Sequence, residues 1–101
     1  MGNIYASPAA LVTSSVGAVS VAVAQQNLSR VGLYVFNPSA TITLWVAPTG
    51  TTALVGGSGS IAVQPLQGIV LGAPNMPPWT NGLNAISSGG SNPITVLEFV
   101  P

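Results

Sequence analysis

The sequence predicts an all-β fold, a single antiparallel β-sandwich of jelly-roll or immunoglobulin-like topology. Short runs rich in Val, Ile, Thr and aromatic residues recur at a spacing of roughly ten residues, as in sandwiches and barrels. The 12 glycines and 9 prolines sit largely between those runs, where turns are expected. Helical periodicity is sustained nowhere, so the chain offers no crossover helix for a parallel sheet.

The first predicted strands are the most strongly patterned. Three valines alternate with Ser or Ala over residues 19–24, which places the valines on one face of a strand. The run 31–36 is apolar or aromatic on both faces, which predicts a strand covered on both sides, once by its own core and once by another element or subunit. The run 41–47 alternates again and is predicted to form a hairpin with 31–36 through a four-residue loop.

The remaining runs complete one domain spanning residues 1–101. They predict further strands at 52–55, 60–63, 68–71, 83–87 and 94–100. The small, Ser-rich N-terminal segment, residues 1–18, is interpreted alternatively as an extended arm that lies across a neighbouring subunit.

The charge content is far below that of ordinary proteins. Arg30 and Glu98 are the two charged residues among 101, and the net charge is zero, whereas about a quarter of residues are charged in a typical domain. A surface without net charge favours association, so we expect a protein that works inside a larger assembly. Nucleic acid is excluded as a partner, because phosphate binding requires several Lys or Arg side chains.

The same inventory argues against catalysis. General acid–base chemistry and nucleophile activation draw on His, Lys, Asp or Glu, and here Glu98 is the single carboxylate in a chain without Lys, His or Cys. We therefore predict a non-enzymatic protein with no metal and no cofactor. The most apolar stretch, residues 8–24, is interrupted by Ser, Thr and Gly, so no membrane span is predicted.

Four residues are candidates for interface or register roles. Arg30 and Glu98 either pair within one subunit, cross to a neighbour and fix register, or stay exposed and unpaired. Trp45 and Trp79 are core anchors or interface residues, because Trp is enriched at interface hot spots. Trp79 follows a Pro-rich loop and is favoured as an interface residue.

Several segments resemble small, β-rich virion proteins of tailed and other double-stranded DNA bacteriophages, of the capsid decoration or cement type. They are RVGLYVFNPS (30–39), WVAP (45–48), GGSGS (56–60), WTNGLNAI (79–86) and TVLE (95–98). The resemblance implies a homo-oligomer, with a trimer favoured, that binds a major capsid protein and reinforces the shell. It also implies a place in the virion, after assembly in the host cytoplasm.

Two alternative functions stay open. The protein could be a tail, spike or vertex component of a virion. It could also be a carbohydrate-binding adhesin module that uses Trp45 or Trp79 as a stacking platform.

Overall fold

The computed structural model describes residues 7–10, 15–72 and 77–100. It confirms an all-β fold of eight strands in two four-stranded antiparallel sheets. The strands are β1 (Ser7–Ala10), β2 (Val21–Ala24), β3 (Gly32–Phe36), β4 (Leu44–Pro48), β5 (Ile61–Val63), β6 (Gly68–Gly72), β7 (Leu83–Ser87) and β8 (Thr95–Val100). The described ranges contain no helix long and apolar enough to cross a membrane.

The strands pair from the outside of the sequence inwards. β1 pairs with β8, β2 with β7, β3 with β6 and β4 with β5, all antiparallel. Two further pairings, β3 with β8 and β4 with β7, join these pairs into a first sheet of order β1-β8-β3-β6 and a second sheet of order β2-β7-β4-β5. Of the connections between successive strands, only that from β4 to β5 stays within one sheet.

The two sheets share one hydrophobic core. Leu33 and Val35 of the first sheet are fully buried against a cluster that includes Leu44 and Val46 of the second. Each of these strands buries every second residue, as the two-residue period of a strand requires. Burial of such aliphatic side chains is the main stabilising contribution in a domain of this size.

The hairpin predicted between 31–36 and 41–47 is wrong, because β3 and β4 lie in different sheets. The chain crosses between the sheets at Asn37, whose side chain is completely buried. Its amide nitrogen donates to the carbonyls of Ile42 and Val63 at 2.7 and 2.9 Å. These bonds replace the turn of a hairpin and fix the corner that leads into β4.

The strand predicted at 52–55 is also wrong. This segment belongs to a loop, residues 49–60, that lies across the outer face of the second sheet. The amide of Ala53 donates to the hydroxyl of Ser20 at 3.1 Å, and the side chain of Asn84 donates to the carbonyl of Thr51 at 3.0 Å. We call residues 49–60 the covering loop.

The N-terminal segment is partly described. Residues 7–10 form β1 at the edge of the first sheet, and Val16 is fully buried and bridges to Asn92. The remainder of the segment interpreted as an arm, 1–6 and 11–14, lies outside the described residues. Val19 does not share a strand face with the other valines, because β2 begins at Val21 and Val19 is 72% exposed.

Candidate interaction surface

The outer face of the first sheet is apolar. Tyr34 of β3 lies opposite Leu97 of β8 on one side and opposite Val70 of β6 on the other. These side chains point away from the core, because their neighbours along each strand point into it. Phe36 and Phe99 lie on the same face and are likewise not buried. We call these five residues the open face.

Two aromatic rings of the open face are nearly parallel. The rings of Tyr34 and Phe36 are stacked, with centroids 6.5 Å apart and planes inclined by 17°. The Tyr34 ring lies over Gly68, where an added Cβ would come within 2.7 Å of the ring carbon Cε1. Any larger residue at position 68 would lift the ring, so this glycine allows the aromatic side chain to lie along the sheet.

The outer face of the second sheet is different, because the covering loop lies on it. Trp45 packs there against a small cluster formed by Ala47, Ala53 and Ile86. Ala53 comes from the covering loop and is completely buried. Among the described residues, the outer face of the first sheet is partly exposed: Val70 is 51% exposed, and the other four residues of the open face are half-buried.

The two charged residues form an ion pair within the chain, the first of the three predicted arrangements. The Nε of Arg30 lies 2.9 Å from Oε1 of Glu98, and only 2% of the Arg30 side chain is exposed. Its two terminal nitrogens donate to the carbonyls of Asn81 and Gln25 at 2.9 and 2.6 Å. The guanidinium thus links β8, beside β3, to the segments that border β7 and β2 in the second sheet. We call this arrangement the charge clamp.

Glu98 is held in its charged form by its neighbours. The amide of Asn27 donates to its Oε1 at 2.8 Å, and Arg30 donates to the same oxygen. The Asn27 hydrogen bond, together with the hydrogen bond and charge of Arg30, lowers the pKa of the Glu98 carboxyl from its ordinary value, although partial burial opposes the shift. A cleft of about 360 Å³ adjoins this group, lined by residues 22–27 with Arg30 and Glu98. The charges in it already bind each other, so it offers no free charge to an ionic ligand.

Comparison with known proteins adds no relative. The chain matches no protein family, no curated protein and no solved structure. Its likeness to bacteriophage virion proteins therefore stays a prediction from the sequence. The described part of the chain also holds no group of three or more His, Cys, Asp or Glu side chains that could bind a metal ion.

The two tryptophans lie apart from the open face. Trp45 is under the covering loop, and Trp79 packs against the shared core while its amide donates to the carbonyl of Val31 at 3.4 Å. Both indole N–H groups are buried, with no acceptor among the described residues. The structure thus brings Arg30 and Glu98 together, and it leaves Trp45 and Trp79 in separate clusters.

The four candidate residues predicted from the sequence do not include any residue of the open face. The sequence does contain a pattern that indicates this face. The run 31–36 is apolar on both faces, and only one face of a strand can point into the core of its own domain. The alternation within 95–99, where Leu97 and Phe99 share a face, carries the same information. In neither pattern do the residues that point outwards include a charged side chain that would single out this face.

Proposed function

We propose that the fold is a jelly-roll sandwich. The support is the pairing of strands one with eight, two with seven, three with six and four with five, which is what results when one long hairpin is rolled into two sheets. Jelly rolls of eight strands are found in viral capsid proteins, lectins and cupins. The topology is compatible with a virion role, although a fold alone does not define a function.

We propose that the protein is a non-enzymatic structural component of a bacteriophage virion, a capsid decoration or cement protein. Its partners in this proposal are a major capsid protein and further copies of itself. The observation that carries the proposal is the open face. It is apolar, and the chain's two charged side chains bind each other in the charge clamp.

The energetics of such a contact follow from that surface. Covering apolar surface yields about 25 cal/mol per Å², and the open face contains no charged group whose desolvation would oppose binding. A protein that binds the assembled shell but not its separated subunits stabilises the shell by mass action. Many weak apolar contacts, repeated over the particle, then add to the resistance of the shell to heat.

The test compares shells that carry the protein with shells that lack it. We expect coated shells to survive heating that opens uncoated ones, and equal survival would contradict the proposal. Leu97→Gln replaces one apolar side chain at the centre of the open face. Full burial of an exposed Leu contributes about 1.5–3 kcal/mol; Leu97 is already half-buried, so shell binding should weaken roughly tenfold, which corresponds to about 1.4 kcal/mol. Leu28→Gln is the matched control, because Leu28 lies outside the strands and is 77% exposed.

The position of the protein on the particle separates the alternatives. Copies distributed over the whole shell are expected for a decoration protein, whereas copies confined to a vertex or tail would favour the alternative virion roles. Binding to a glycan array without binding to shells would favour the adhesin. Electron microscopy of labelled particles and a glycan array provide these two measurements.

A further inference from the structure

The four edge strands of the two sheets differ in how they are protected. An exposed edge offers unpaired backbone groups to other strands, and proteins block edges with Pro, charges, bulges or very short strands. Of the edge strands, β1 contains Pro8, β2 has an irregularity between Ala22 and Ala24, and β5 is only three residues long. β6 has five residues and none of these devices.

The hydrogen-bond pattern shows which groups of β6 face outwards. The backbone N–H of Asn37, the residue after β3, donates to the backbone carbonyl of Gln67, the residue before β6. This bond shows which residue pairs of the β3–β6 ladder are hydrogen-bonded. Hydrogen-bonded and non-bonded pairs alternate along an antiparallel ladder, so Ile69 and Leu71 exchange hydrogen bonds with β3. The backbone N–H and C=O groups of Gly68 and Val70 therefore point away from β3, towards the open edge, whereas Gly72 ends the strand at a φ of 100° and is buried.

The sequence of β6 is nearly symmetrical about Val70. It reads Gly68, Ile69, Val70, Leu71, Gly72, so an antiparallel copy centred on Val70 places Gly opposite Gly and Ile opposite Leu. The same alignment makes Val70 and its copy a hydrogen-bonded pair, because the backbone groups of Val70 face outwards. We propose that β6 of a second copy of this chain binds along this edge, antiparallel, about a two-fold axis at Val70.

A two-fold contact requires a surface that is complementary to itself, and β6 meets this requirement through the outward backbone groups of Val70 and the near-symmetry of its side chains. No charge repulsion opposes the approach of two copies, because the two charged side chains are paired in the clamp. The side chain of Val70, 51% exposed, lies on the open face. Two molecules joined in this way form one eight-stranded sheet, and their open faces become a single continuous surface.

This contact is distinct from the trimer that the resemblance implies, since a three-fold ring would use a different surface. It is also independent of the shell as a partner. The isolated protein is sufficient to test the two-fold contact. Its absence would not contradict binding to a shell, and a failure to bind shells would not contradict the two-fold contact.

The experiment measures self-association of the full chain by sedimentation velocity over a range of concentrations. We expect wild type and Val70→Thr to form dimers, because Thr keeps the β-branched shape and the outward N–H. Val70→Pro removes that N–H without removing a donor to β3, and Val70→Lys places like charges on both sides of the axis. Both should raise the dissociation constant at least tenfold, while Leu28→Lys, which adds the same charge elsewhere, should not.

Hydrogen exchange gives a second readout that does not depend on any variant. The Val70 amide of the wild type should exchange slowly at high protein concentration and rapidly on dilution, whereas the Ile69 amide should be protected at both. The proposal would be overturned if the wild type stayed monomeric, or if it formed an oligomer whose Val70 amide exchanges rapidly. In either case β6 does not pair with β6 of a second copy. Unchanged association of both Val70→Pro and Val70→Lys, each shown to be folded by circular dichroism, would overturn it as well.

Discussion

The charge clamp predicts an unusually simple dependence of stability on pH. Glu98 is the only Asp or Glu in the chain, and there is no His, so apart from terminal groups only one site titrates in acid. Asn27 and Arg30 lower the pKa of the Glu98 carboxyl in the folded protein. Glu98→Gln keeps the shape of the side chain and an oxygen that accepts from both neighbours, but removes the charge and the titration.

The sign of the effect follows from linkage. Above the ordinary pKa of glutamate both the folded and the unfolded states are ionised, and the stabilisation is complete. Between that value and the lower pKa of the folded state, the unfolded chain binds a proton that the native Glu98 does not, so stability falls with falling pH. One proton corresponds to a slope of at most about 1.4 kcal/mol per pH unit, and the loss ends below the folded pKa.

Urea denaturation between neutral pH and about pH 2 measures this directly. Near neutral pH we expect Glu98→Gln to be less stable by about 1.5–3 kcal/mol, the contribution of a hydrogen bond to a charged group, and its stability in acid to be nearly flat. Arg30→Met should be less stable by about 3–5 kcal/mol, because it leaves the Glu98 charge without its partner and the carbonyls of Gln25 and Asn81 without their donor. A wild type whose stability does not change in acid, or a Glu98→Gln variant that loses as much as wild type, would refute this account of the clamp.

Three further substitutions test the corners of the fold. Asn37→Ala should reduce the free energy of unfolding by about 2–4 kcal/mol, because two buried carbonyls lose their donor; a loss below about 1 kcal/mol in urea denaturation would contradict this role. Gly72→Ala and Gly50→Ala both place a side chain at φ of 100°, but a Cβ at Gly72 would come within 2.6 Å of the Val31 carbonyl, whereas nothing lies within 4 Å at Gly50. We expect Gly50→Ala to lower stability by about 1–2 kcal/mol and Gly72→Ala by at least about 2 kcal/mol more, and equal losses in thermal unfolding would argue against the close packing at Gly72.

Local patterns were sufficient to locate most strands. The alternation in 31–36, the short apolar runs at 60–63 and 68–71, and the final run before Pro101 each correspond to a strand of the structure. These patterns are reliable because a strand between a core and an outer face must alternate. The segment 52–55 has the same composition but forms no strand, because its backbone donors bind side-chain hydroxyls instead of a neighbouring strand.

The pairing of strands could not be predicted in the same way. The run 31–36 and the run 41–47 are neighbours in sequence with a turn-like loop between them, and local reasoning favours a hairpin. The buried Asn37 side chain decides otherwise, because it satisfies the carbonyls of Ile42 and Val63 only if the chain crosses to the other sheet. Such a role depends on contacts distant in sequence and leaves no local signal.

The ion pair was among the predicted arrangements, but the sequence did not distinguish it from the others. Arg30 and Glu98 are 68 residues apart, and they meet because β3 and β8 are adjacent, with Leu33 opposite Glu98. The carbonyls that bind the other guanidinium nitrogens are backbone groups, which carry no sequence signature. Only the topology could place them around Arg30.

The inward order of strand pairing also has a consequence for how the chain folds. β4 and β5 are separated only by the covering loop and can meet early, whereas β1 and β8 must close nearly the whole length of the chain, and closure is slower for distant segments. β8 lies between β1 and β3, so β1 has no strand to join until β8 is in place. Glu98 arrives with β8, and before then Arg30 has no opposite charge. The pairing of β8 with β3, and of β1 with β8, is therefore expected to form last and cooperatively, after the ribosome has released the residues of β8.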